Sequence, residues 1–593
     1  MLGAGNIALE IAKRSLGAHM LLMDVVSHNI ANVNTPGYTR QRGVAETTYP
    51  FGVPGMGYMG IPGQIGTGVE VKYIQRLRND FLDRQFRQEN GVLGQEEAKE
   101  GVYDVIETML QEPSDIGLGS VISAYFDAWQ ELSVTPEDPA IRNMVIERTK
   151  NLIDTFHHYA NQLIDLRAEI DFQIKETVKK INTLAHQIAD LNGKIEQALA
   201  ANQRPNDMLD KRDYLIDQLS KLVNVRVEKL DNGGVSLFVG SMNIIDDRRV
   251  NPIEVFKNTE INASDVSDLS SATTKFVSSY GNKGWNGEKV RFNGSPDGDG
   301  GTFSGVDPYN TSVNTLWVKF FSDSPDESVK YVALDNKSLR SGKLFGLIEA
   351  RDDVIWNTLE KLDKLVWGLV SRANEVHRQG ADLHGNTGED IFLVPDSIYT
   401  SSRPQDLVAT LYAGDDSSGL WKSSNFRGIA AHVYLNPDID GHPERLAAAR
   451  QDSSAGVGPD GYYNLSGDST VAVAMAQLRD INMGQTSITV NNYPISLTSP
   501  ANFTSDMVLK STREYFDSWV SGIGSDSENN KTIKSNVENL TKMLDLKRKQ
   551  ESGVNLDEEA ADMIRFQKAY NAAARIVSVM EQVMDTIINL GRA

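Results

Sequence analysis

The sequence predicts a multi-domain α+β protein: terminal helices pairing as a coiled coil, a long discontinuous α-helical bundle, and β-rich outer domains inserted into it. Three observations predict this architecture. Each end of the chain carries an apolar-striped helix, an apolar rhythm of helical period runs from Pro139 to about Ala200, and two segments rich in Ser, Asn, Asp and Gly interrupt the helical pattern. A chain of 593 residues is also too long for one hydrophobic core, so several domains are expected.

The last helix is the strongest signal. Gly553 and Asn555 favour a turn, and Asp557, Glu558 and Glu559 place negative charge where a helix N-terminus favours it. Leu556, Ala560, Met563, Phe566, Tyr570, Ala573, Val577, Met580, Met584 and Ile587 then recur at steps of three and four. A second row, Ala569, Ala572, Ile576, Val579 and Val583, widens the stripe beyond what one partner surface covers. An ordinary core helix would also show such a stripe. The terminal position, the second row and a matching helix at the other end favour assembly.

That matching helix spans residues 6 to 33, with Ile7, Ile11, Ala18, Leu22, Val25 or Val26, Asn29 or Ile30, and Val33 on one side. It stops at Asn32-Val33-Asn34-Thr35-Pro36-Gly37-Tyr38, where Asn, Pro and Gly break helices by known mechanisms. The candidate assembly interface is therefore Ile7, Ile11, Leu22, Val26 and Ile30 with Leu556, Met563, Phe566, Tyr570, Ile576, Val577, Val583, Met584 and Ile587.

A Gly/Pro-rich stretch follows from Phe51 to Gly68. Asp138 and Pro139 then open the long helix as N-cap and first-turn residue. Leu152, Phe156, Tyr159, Leu163, Leu166 and Ile170 alternate at four and three, and after a shift near Ile174 the rhythm resumes at Val178, Ile181, Leu184, Ile188, Leu191 and Ile195. A break at 170–178 is left open. A rod on the order of 90 Å needs companions. The candidates are Ser341 to Arg378 and about 530 to 550, the latter with Val537, Leu540, Leu544 and Leu546.

The interrupting segments read as β-rich. Asp231-Asn232-Gly233-Gly234 before alternating Val235, Leu237 and Val239 signals a hairpin, and Ile488 to Ile495 closes the second segment in the same style. The expected domains are 1–33 with 556–593 as the inner coiled coil, and 34–230 with 336–390 and 508–555 as the bundle. Residues 231–335 form a β-rich outer domain, and 391–507 a second outer insertion of mixed β and short helices.

Composition narrows the function. A net charge of −21 argues against nucleic acid as a partner. No apolar run is long enough to insert in a membrane, and a cleaved signal peptide is not expected. With no cysteine, disulfides and thiolate chemistry are absent, as suits a reducing compartment or a chain exported unfolded. Asp297-Gly298-Asp299-Gly300-Gly301 lacks the spacing of a calcium loop, with Pro308 where the bidentate Glu belongs. His157 and His158 are adjacent on a helix and point to different faces. No phosphate loop, nucleophile elbow or zinc-protease motif is present. No cofactor, metal site or enzymatic activity is expected.

The terminal motifs carry a family resemblance. His28-Asn29-Ile30-Ala31-Asn32-Val33-Asn34-Thr35-Pro36-Gly37-Tyr38-Thr39-Arg40-Gln41 resembles the N-terminal signature of bacterial flagellar axial proteins, the rod, hook and hook-associated family. Ser552 to Glu559, with Gln567 to Arg575, resembles the matching C-terminal signature. The wording Asn555-Leu556-Asp557-Glu558-Glu559 and the internal blocks Asn206 to Asp213, Ser341 to Asp352 and Asn374 to Gly380 resemble the hook-associated members. The resemblance implies a structural subunit outside the cell in the flagellum, forming a ring of its own copies. Its implied partners are the hook protein, the second hook–filament junction protein, an export chaperone on the C-terminal helix, and the type III export apparatus. A hook or distal-rod role, or a wall-degrading or adhesive outer domain, is the alternative.

Overall fold

Helix α1 (Leu2–Ala31) and helix α12 (Leu556–Leu590) lie antiparallel along each other. The computed structural model describes residues 2–49, 66–110, 117–257, 314–320, 330–334, 338–394, 428–459, 461–497 and 505–590. Asn555 starts α12 by accepting the Asp557 amide at 3.0 Å, ahead of the acidic first turn. Past α1 the chain turns at Gly37 in the left-handed region and enters the antiparallel hairpin β1 (Gln41–Thr47) and β2 (Val69–Arg76). That hairpin covers a second side of α1: a Cβ on Gly43 would lie 2.4 Å from a Leu22 methyl. Of the expected Gly/Pro-rich stretch, 51–65 lies outside the described residues.

The bundle is built from α2 (Asp80–Leu110), α3 (Leu118–Leu132), α4 (Pro139–Ala200) and α5 (Asn206–Leu222). After the sheets it continues with α6 (Lys343–Glu349), a π-helical turn (Ala350–Val354) and α7 (Ile355–His377). Asp138 caps α4, accepting the Ala140 amide at 2.8 Å, with Pro139 in the first turn. The 62 residues of α4 run without a break, and Ile170, Ile174 and Val178 are all buried through the phase shift. The facing helix absorbs the irregularity instead. Its π turn adds a residue beside the shift, and from it Arg351 reaches Asp171 of α4. Thus α6–α7 is a companion of the rod, as expected.

The other expected companion packs elsewhere. Helix α11 (Thr512–Ser552) starts well before 530, at a capping box between Ser511 and Glu514, and lies along α2 rather than α4. Its first half buries Tyr515, Phe516, Trp519 and Ile523. Its second half meets a polar face of α2 through Lys531–Asp104 at 3.1 Å and Lys534–Glu100 at 2.5 Å, leaving Leu540 and Leu546 exposed. The outward leucines of this half find no cover among the described residues, and lysines pair with α2 across the seam.

The hairpin signal at 231–234 forms β3 (Arg226–Lys229) and β4 (Val235–Val239), with Gly233 in the left-handed region. The expected boundary at 230/231 falls within this hairpin. Strands β5 (Met242–Asp246) and β6 (Arg249–Val250) complete a sheet of order β3-β4-β5-β6, and β7 (Ile253–Lys257), β8 (Asn314–Phe320) and β9 (Lys330–Ala333) form a second. Asp297 to Gly301 lies outside the described residues.

The described part of 391–507 holds short strand pairs and the helices α8 (Ile429–His432) and α9 (Thr470–Gln477). Its closing hairpin turns at Asn491-Asn492, both left-handed, as two-residue hairpin turns require. This segment does not stand off the bundle. Ile429, Val433, Leu446, Val471 and Met475 are buried in the same core as α3, α4 and α7, because small and β-branched residues let α9 seat closely on α3. Helix α10 (Ser505–Val508) then leads to α11.

Candidate assembly interface

The apolar residues that mark the terminal helices divide into two rows. Leu22 and Val26 are buried between α1 and its neighbours, with Ala18 and Val25. Ile11, Ile30, Met563, Phe566, Tyr570, Val577 and Met584 are half-buried. Phe566 stacks on the His19 ring with centroids 6.1 Å apart, and burial pushes the His19 imidazole down. Leu556, Ile576 and Val583 instead face solvent, at 50%, 47% and 42% exposure. They are joined on α12 by Ile564, Val579 and Ile588, and on α1 by Leu9, Met20 and Leu21. The side chains of Ile7 and Ile587 lie outside the described residues. The inner row closes the helix pair, and the outer row has no cover among the described residues.

Where the pair meets the bundle, the two signature segments fold onto each other. Asn29 donates to the Gln41 carbonyl at 2.9 Å and to Glu559 at 3.0 Å, while its own oxygen accepts from the Tyr38 hydroxyl at 2.8 Å and the Gln41 amide at 3.0 Å. Arg40 pairs with Glu558 at 2.5 Å, Glu559 at 2.6 Å and Asp562 at 3.7 Å. The Arg40 amide donates to the Ser552 carbonyl at 2.8 Å. Burial, helped by nearby Asp207, Asp210 and Glu559, raises the Tyr38 phenol above its usual range. Sequence periodicity missed this clasp because its residues are polar and over 500 positions apart. The signal that pointed to it was the pair of signature motifs.

A second polar layer carries the clasp into the bundle. The Thr39 amide donates to Asp210 at 3.0 Å, and Gln41 donates to Asp207 at 2.8 Å. Arg76 bridges Asp210 at 2.7 Å and Asp213 at 3.0 Å, while Arg548 bridges Asp83 at 2.9 Å and Asp217 at 2.6 Å. Burial alone would raise the Asp213 carboxyl. The guanidiniums of Arg78, Arg76, Arg87 and Arg212 outweigh it and hold Asp213 at about 2. The signature loop, α2, α5 and α11 are thereby tied together at one point.

Elsewhere the sites are plain. His157 hydrogen-bonds the Val433 carbonyl at 2.7 Å, whereas His158 lines an open cleft of about 650 Å³ between α2 and α4. Among the described residues, no group of three or more His, Asp or Glu is arranged to hold a metal ion. No described helix is long and apolar enough to cross a membrane.

Three flagellar family models match the chain, together over more than half of it. The model of the flagellar hook-associated protein FlgK helical domain matches residues 103–289 and 307–392. That of the flagellar basal body rod FlgEFG protein C-terminal region matches 550–590, and that of flagella basal body rod proteins matches 20–39. The flagellar hook-associated protein 1 of Bacillus subtilis is 26% identical over 98% of both chains. That of Salmonella typhimurium is 24% identical over 98% of this chain and 99% of the relative. The flagellar hook junction protein FlgK from Burkholderia pseudomallei has a similar fold, with a TM-score of 0.55 at 14% identity, covering 79% of this chain and 99% of that one.

Proposed function

This chain belongs to the family of flagellar hook-associated proteins, and we propose that it serves as a structural subunit of the hook–filament junction, adapting hook to filament. One observation carries the reading: similarity to hook-associated protein 1 runs along 98% of the chain, through both terminal signatures and the bundle between them. The fold suits the task. An outer apolar row of Ile576, Val579 and Val583 on a terminal helix pair fits burial against neighbouring copies in a ring. The clasp fits transmission of that contact to the bundle, along which the sheets pack on α4. In this reading the ring sits between the hook protein and the second junction protein. The chain leaves the cell through the type III export apparatus, with a chaperone covering the C-terminal helix beforehand. It performs no chemistry.

The test is deletion of the gene, followed by electron microscopy of the cells and assay of the medium for filament protein. Complete hooks without filaments, with filament protein lost to the medium, are expected. Absence of hooks would move the chain to the hook or rod, and normal flagella would overturn the function.

A further inference from the structure

A second, small core sits beside the main one. Ala381, Ala449 and Tyr463 are buried together, with Ala455 and Leu465 packed on them, apart from the core of the bundle. Gly380–Ala381 pairs antiparallel with Ala449–Arg450, and the Tyr463 amide donates to the Leu383 carbonyl at 2.8 Å. Asp382 accepts the His384 and Asn386 amides, each at 2.8 Å. Residues 380–390, with 443–459 and 461–468, thus form a cap with a core of its own, and within it Leu446 and Ala448 reach the main core.

The bundle grips this cap by its backbone. From the start of α4 the buried Arg142 donates to the Pro136 carbonyl at 2.6 Å and to the carbonyls of Pro443, at 3.3 Å, and Leu446. From the end of α7 the buried His377 accepts the Ala447 amide on Nε2 at 2.7 Å and donates from Nδ1 to the Glu389 carbonyl. A neutral ring satisfies both bonds. A protonated ring has two donors, so Nε2–H would meet the Ala447 N–H, and the new charge would be buried and repelled by Arg142. Asp382 pulls the other way, and burial outweighs it. The remaining charged groups around the ring are engaged with each other: Arg378 with Asp390 at 2.6 Å, Arg445 with Glu389 at 3.9 Å, and His442 with Glu444 at 3.1 Å on the exposed side. Helix α3 presents the Trp129 ring, and α9 carries no titratable side chain.

We infer that the cap is held by an acid-released latch: His377 and Arg142 hold it by its backbone at neutral pH, and a proton on His377 opens it while the bundle stays folded. Burial pushes the latched ring down to about 4, against 6.5 when free, so the open cap takes up the proton more readily. The closed cap is therefore fully favoured above 6.5 and loses ground as the pH falls toward 4. By pH 5 opening is favoured at least about tenfold more than at pH 7. The latch lies within one chain and does not depend on the assembly reading.

The test is amide hydrogen exchange of the full-length protein at pH 7 and pH 5, corrected for the intrinsic rate, following 380–383 and 446–451 against Ile174 to Ile195 of α4. In the unaltered protein the cap amides are expected to lose at least about tenfold in protection at pH 5, with α4 still at least about tenfold better protected than the cap. His377→Gln keeps a side chain that donates and accepts but does not titrate, and its cap is expected to exchange equally at both pH values. His442→Gln, on the exposed side, is expected to keep the tenfold loss. A cap indifferent to pH in the unaltered protein would overturn the latch, as would a cap that exchanges in step with α4. So would the full pH dependence surviving in H377Q or disappearing in H442Q, because another group would then be the one that takes the proton.

Discussion

His377 at the end of α7 is buried with both ring nitrogens engaged. Nε2 accepts the Ala447 amide at 2.7 Å, so the proton lies on Nδ1, which donates to the Glu389 carbonyl at 2.5 Å. The Trp129 ring stands edge-on to it at 6.3 Å. Protonation would cost the Ala447 bond and bury a charge, and burial holds the imidazole down to about 4. The sign follows from proton binding. Between the unfolded value of 6.5 and the folded value of about 4, the unfolded chain binds more protons, so stability is full above 6.5 and falls as the pH drops toward 4. From neutral pH to about pH 5 this single group should remove about 2 kcal/mol from the unit containing α7. Thermal unfolding across that range checks it: His377→Asn is expected to be less stable at neutral pH and to lose this part of the slope. The sequence marks the Asn374–Gly380 block as informative by resemblance. It cannot show the histidine's partners, which come from chain segments 12 and 70 residues away.

At the scale of the element, legibility follows chemistry. Helix α4 is readable because its buried side chains are large, apolar and periodic. Helix α2 is not, since Gly91, Gly94 and Gly101 interrupt it and its buried set includes Asp83, Arg87, Asn90 and Glu96. Two of those glycines are there for approach rather than flexibility. A Cβ on Gly94 would lie 2.1 Å from the Lys221 carbonyl oxygen, and one on Gly91 would lie 2.7 Å from Ser341 Oγ and 3.2 Å from the Ser220 carbonyl. Gly101 has nothing within 4 Å of the same position. Gly94→Ala is therefore expected to destabilise by about 1–3 kcal/mol through overpacking against backbone. Gly101→Ala should stabilise by roughly 0.5–1 kcal/mol through helix propensity. Urea unfolding of the two variants checks the contrast, and equal effects would contradict the close packing of α2 on α5. Helix α11 is half legible for the same reason: the outward leucines of its second half imitate a core stripe, while that half meets α2 through polar pairs such as Lys531–Asp104 and Lys534–Glu100.

For the whole molecule, the terminal pair is legible in outline and hidden in detail. Periodicity finds both helices and both apolar rows, and it cannot say which row the chain itself consumes. The structure separates them, and this changes what a mutation should do. Phe566 stacks against His19 of α1 and Tyr570, one turn on, is half-buried, so charges there should weaken the pair within one subunit. Ile576, Val579 and Val583 are exposed, so polar replacements there should spare the monomer. If neighbouring copies cover this row, each side chain contributes about 1 kcal/mol or more, and losing three weakens the contact by more than about a hundredfold. The triple variant I576Q/V579Q/V583Q is therefore expected to keep monomer helicity and thermal unfolding unchanged. Produced in the deletion strain, it should leave hooks bare of filaments. Full restoration of filaments by that variant would show that the outer row faces no neighbour, and the ring contact would then have to lie on the bundle or the sheets.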